Sequence, residues 1–109
     1  MTRDEALAMH RELEAFAAGG PGGISDPGRR RLKEIEFGFK GASDDPYLRE
    51  KVRTACGYVE IWLSPRRWEK QWGFERGQGV VNGAVYKVRM AIDTAFPASA
   101  GPSDHPMPR

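Results

Sequence analysis

The chain has a single cysteine, Cys56, so it cannot form an intrachain disulfide or build a thiolate metal cluster by itself. No apolar run approaches the roughly 18 residues that a membrane-crossing helix requires. Its two histidines, His10 and His105, are far apart in the sequence, and no set of three ligands is evident around either. Charge of one sign is scarce as well. Seventeen basic against 15 acidic side chains leave a net +2, well short of a strongly basic nucleic-acid binder. Residues 1–5 lack the basic start and apolar stretch of a secretion signal, so a reducing cytoplasm is the expected location. No metal, cofactor or membrane is expected to partner the chain.

Glycine and proline, by contrast, are abundant, at 13 and 8 of 109 residues. That excess suits either a disordered chain or one broken into short elements. Three tryptophans and a hydrophobic content of 39% favour a single folded domain with a real core.

The first expected helix covers residues 2–18. Thr2-Arg3-Asp4-Glu5 has the form of a capping box, in which threonine and glutamate each satisfy a free N–H. Leu7, His10, Leu13 and Phe16 then recur at helical spacing. Gly19-Gly20-Pro21-Gly22-Gly23 ends the helix and reads as a flexible link. The helix is therefore expected to pack on its own domain or swap onto another subunit.

Ser25-Asp26-Pro27 restarts the chain with a capping side chain and a proline at the first helical position. Leu32, Ile35 and Phe39 share a face, and the helix is expected from 29 to 37 or 39, with Gly38 and Gly41 fraying its end. Ser43-Asp44-Asp45-Pro46 is a second start of this kind. It opens a central helix over 46–63, where Leu48, Val52, Ala55, Val59 and Trp62 follow alternating steps of four and three. Gly57 in its middle suggests close packing. Ser64-Pro65 reads as a third start, for a short helix over 65–72 with Trp68 and Trp72 on one face.

Residues 74–79, with Gly77 and Gly79, read as a loop. An Asn82-Gly83 turn would suit a hairpin over 80–86. Val81, Val85, Val88, Ile92 and Phe96, however, fall at helical steps and cover more positions, so the spacing predicts a helix over 83–96. Pro97 ends it, and residues 97–109, with four of the eight prolines, read as a mobile tail. The expected fold is all-α: a small bundle of four or five helices, with an N-terminal helix (1–18), a Gly-rich link (19–25), a helical core (26–96) and the tail. The expected core is Leu7, Leu13, Phe16, Leu32, Ile35, Leu48, Val52, Val59, Trp62, Val85, Val88 and Ile92.

The small net charge is unevenly spread. Residues 1–26 carry a net −3, residues 29–89 a net +6 and residues 93–109 a net −1. The basic middle holds two clusters. Arg29, Arg30, Arg31 and Lys33 form the first. Arg66, Arg67, Lys70 and Arg76 form the second, interleaved with Trp68, Trp72 and Phe74. Arginines beside aromatics suit nucleic acid, the cations meeting phosphates and the rings stacking on bases. In the plainer reading, the cations solvate helix surfaces and the tryptophans fill the core. A helix-turn-helix fits poorly. The break over 40–45 is longer than the usual three or four residues, and the helix after Ser64-Pro65 is short.

Little in the sequence supports catalysis. His10 and Glu14 are four apart on one helix but have no third ligand. Cys56 falls on the apolar side of the central helix, and Asp44-Asp45 stands where a helix start needs a cap. Residues 73–79 are Gly-rich but lack the Gly-Lys-Ser/Thr of a phosphate cradle. With no catalytic residue evident, a non-enzymatic protein that contacts nucleic acid through the two basic clusters is expected. The alternative is a protein-binding adaptor or inhibitor of the bacterial or phage accessory type. It would act through Leu7, Leu13 and Phe16 of the first helix, and self-association is included in that reading.

Overall fold

The computed structural model describes residues 1–98. It contains α1 (Arg3–Ala18), α2 (Asp26–Ala42), α3 (Pro46–Leu63), α4 (Arg67–Gln71) and α5 (Phe74–Ala95), with no strand among the described residues. The all-α class and the five-helix count match the sequence reading. Of the expected tail, Pro97 and Ala98 are exposed, and residues 99–109 lie outside the described residues.

α3 is the central element and packs against the other four helices. Asp45 caps its start by accepting from the Tyr47 N–H at 2.9 Å, and Pro46 stands where no N–H is needed. Every apolar residue of its expected stripe is buried, together with Cys56 and Leu63. Gly57 is different: it is exposed, and a Cβ placed there would meet nothing within 4 Å, so it marks no close packing.

The capping box of α1 is present. Glu5 N–H donates to Thr2 Oγ1 at 3.1 Å, and Thr2 N–H donates to Glu5 Oε1 at 2.7 Å. α1 is not detached. It buries Ala6, His10, Leu13 and Ala17 against α3 and α5. Nor is the glycine link free. Gly22 N–H donates to the Trp62 carbonyl at 2.8 Å and Ile24 N–H to the Leu63 carbonyl at 2.9 Å. The link thus satisfies two carbonyls that the last turn of α3 would otherwise leave unpaired. Gly22 reaches this geometry with φ 81°, which a side chain would oppose.

α2 runs past its expected end to Ala42. Phe39 in its last turns is wholly buried, and Arg49 of α3 donates to the Lys40 carbonyl at 2.8 Å and the Ser43 carbonyl at 2.7 Å. This tertiary cap holds the glycine-containing end in helix. The break between α2 and α3 therefore shrinks to residues 43–45. α4 departs from expectation in the opposite direction. Ser64 does not cap it but donates back to the Glu60 carbonyl at 2.6 Å. The N-cap is Arg66, at φ 69°, with no side-chain cap bond.

α5 begins at Phe74, nine residues before its expected start, so the glycine loop is helix. Gly77 lies on the buried face, where a Cβ would stand 2.6 Å from Trp62 Cζ3. That helix–helix contact outweighs the poor helical propensity of glycine. Residues 80–86 are helical throughout, and Val81, Val85, Val88, Ala91 and Ile92 are buried. Of the expected core, Leu7 and Phe16 are only half-buried, and Phe39 and Val81 join it.

Candidate functional site

The two basic clusters have different fates. In the first, Arg31 is held by a two-pronged bond to Glu12, with Nε at 2.7 Å from Oε1 and NH2 at 2.6 Å from Oε2. Its NH1 also reaches Glu34 at 3.1 Å. The Arg31 guanidinium keeps the Glu12 carboxyl below the usual carboxylate range. Arg29 pairs with Glu60 at 3.2 Å, tying α2 to α3. Two of these four cations are therefore fixed by internal carboxylates, and Arg30 and Lys33 stay exposed.

The second cluster is built at the corner between α4 and α5. Arg66, Arg67, Lys70 and Arg76 are all exposed, and none joins an ion pair among the described residues. Glu69 and Glu75 share the corner and leave residues 66–76 at a net +2. Arg66 occupies the left-handed region, the one non-glycine among the described residues with positive φ. A bulky side chain there costs about 1–2 kcal/mol, so the corner carries local strain.

α3, α4 and the start of α5 also share an aromatic cluster anchored on Trp62. The Trp62 indole is buried, and Nε1–H donates to the Ala17 carbonyl at 3.2 Å. Trp68 meets it edge-on at a centroid distance of 5.6 Å, and Phe74 lies tilted against it at 5.9 Å. Trp72 packs edge-on against Tyr58 at 5.4 Å. Trp68 and Trp72 are half-buried, so they are neither fully core nor fully contact surface. Phe74 is 51% exposed although one side of its ring is supported.

The other sequence candidates resolve into structural parts. His10 is buried with Nε2 3.0 Å from the Val85 carbonyl; because a carbonyl only accepts, Nε2 carries the hydrogen and links α1 to α5. Its Nδ1 is 3.8 Å from Glu14. Burial, with a smaller contribution from Glu36 and opposition from Lys33, pushes the Cys56 thiol up to about 12. Such a thiol is a packing group. Of the α1 residues read as a partner surface, Leu13 is wholly buried inside the chain and presents no surface. Leu7 is half-buried, and Phe16, also half-buried, lines a groove of about 460 Å³ with Ile24 and Leu63.

Among the described residues, no helix is long and apolar enough to cross a membrane, and no three His, Cys, Asp or Glu side chains stand together as metal ligands. No family model, curated protein or solved structure matches the chain significantly. Function must therefore be read from the site itself. The sequence contained the second cluster and its aromatics. It did not contain the exposure of Phe74, the strain at Arg66 or the loss of Arg29 and Arg31 to internal pairs.

Proposed function

We propose that this protein is a non-enzymatic nucleic-acid-binding protein whose contact surface is the α4–α5 corner. The observation that carries the reading is that Arg66, Arg67, Lys70 and Arg76 are exposed and form no ion pair among the described residues. A cation held by a carboxylate has already given up part of its hydration and charge to that partner. A solvated one is free to exchange its counterion for a phosphate. The 29–33 cluster supports the reading less, because Arg29 and Arg31 are occupied.

The three-residue turn between α2 and α3 has the length of a helix-turn-helix, yet it favours no contact there. Arg49 is spent on the α2 carbonyls and Asp44, and Asp45 is the α3 cap. Lys51 lies over the Tyr47 ring at 5.1 Å.

Fluorescence anisotropy of labelled oligonucleotides at low ionic strength tests the proposal. Binding that weakens as salt rises is expected. Absence of binding at low salt, with the protein folded by circular dichroism, contradicts it.

A further inference from the structure

Resting on the nucleic-acid reading, we infer that the α4–α5 corner takes single-stranded nucleic acid, stacking an unpaired base on Phe74. Three observations converge on this. First, α4 is five residues long, and at about 1.5 Å of rise per residue it cannot lie along a major groove as a recognition helix. Second, Phe74 opens α5 directly after Gly73, whose φ of 80° turns the chain there. Its ring rests against Trp62 and is half open to solvent, an arrangement that holds an aromatic face in place without burying it. Third, Arg66, Arg67, Lys70 and Arg76 lie on either side of Phe74 in the chain. A supported aromatic face with solvated cations close to it in the chain suits an unpaired nucleotide, which offers a base to stack and a phosphate to pair. In a duplex the bases are already stacked on each other, and Phe74 would gain nothing from them.

The support matters as much as the exposure. A free phenylalanine on a surface loses side-chain entropy when a base orders it. Here Trp62 has already restricted the ring, and Trp62 is itself fixed by its bond to Ala17 and by close glycine contacts.

The test compares three labelled probes of equal length: an unstructured deoxythymidine oligomer, a uridine oligomer and a blunt DNA duplex. They are titrated into wild-type protein, Phe74→Leu and Phe74→Trp. Leucine keeps the apolar contact with Trp62 and removes the stacking face, and thermal melts confirm that each variant is folded. The expected result is tighter binding of the single strands than of the duplex. Phe74→Leu should lose about tenfold on single strands, and Phe74→Trp should retain their binding. Equal or tighter duplex binding, or single-strand binding unchanged in Phe74→Leu, overturns the stacking inference and leaves the nucleic-acid reading standing. Failure of all three probes to bind wild-type protein overturns that reading and the inference with it.

Discussion

The indole N–H of Trp62 donates to the main-chain carbonyl of Ala17 across 3.2 Å, joining the centre of the fold to the last turn of α1. The same ring is pressed by glycines on two sides. A Cβ on Gly20 would stand 2.2 Å from Trp62 Nε1, and one on Gly77 would stand 2.6 Å from Cζ3. The ring is too large and too firmly placed to give way, so these positions require glycine for space rather than for backbone freedom.

Alanine substitutions should therefore divide by position. Gly20→Ala and Gly77→Ala should each destabilise by about 1–3 kcal/mol through overpacking. Gly57→Ala, Gly79→Ala and Gly83→Ala meet nothing within 4 Å and lie inside helices. Each should stabilise by about 0.5–1 kcal/mol through helix propensity. Urea denaturation of the five variants checks this division, and a stabilised Gly77→Ala would refute the caged placement of Trp62.

The caged ring also shows what the sequence made legible. The bounds of α3 were readable because Asp45, Pro46 and a long stripe of apolar residues are all local signals. The C-terminal end of α2 and the start of α5 were not. Arg49 caps α2 from another helix, and Gly77 is helical because Trp62 occupies the space beside it. The glycine link looked loose for the same reason, since its hydrogen-bond partners lie on α3. For the site, the sequence showed which cations cluster. It did not show which are spent, because Glu12 and Glu60 reach Arg31 and Arg29 from distant segments.

The Glu12–Arg31 pair should appear in the pH dependence of stability. The Glu12 carboxyl is lowered chiefly by its hydrogen bonds from Arg31. Its contribution is thus present above the ordinary glutamate value and is lost as pH falls through the lowered folded-state value. Both side chains are more than a third exposed, so solvent screening limits the pair to about 0.5–1 kcal/mol. Glu12→Gln should be less stable than wild type by that amount at neutral pH. The difference should vanish once Glu12 is protonated in both states. Denaturation curves across the acid range measure it, and a difference independent of pH would contradict the assignment.

Cys56 should be unreactive in the native protein. Its thiol is buried and pushed up to about 12, so almost no thiolate exists at pH 8. A chromogenic disulfide reagent should label it only in denaturant, with one thiol per chain released. Rapid labelling of folded protein would show that the α3 packing opens.

Arg66 offers a separation of stability from binding. Its backbone sits at φ 69°, where glycine is at ease and alanine is not. Arg66→Gly should be more stable than Arg66→Ala by about 1 kcal/mol, because relief of left-handed strain exceeds the entropy glycine adds to the unfolded chain. Both should weaken oligonucleotide binding equally, since both remove the same charge. Chemical denaturation alongside anisotropy checks the pair, and equal stability of the two variants would place the strain elsewhere.

The most direct test of the corner as a nucleic-acid surface is the salt dependence of binding. If Arg66, Arg67, Lys70 and Arg76 each neutralise one phosphate of a single strand, log K should fall against log salt with a slope of about −3. Combining Arg67→Gln, Lys70→Gln and Arg76→Gln should bring that slope to about −1, and Arg31→Gln should leave it unchanged. The contradicting result is a triple variant that binds with wild-type affinity and slope.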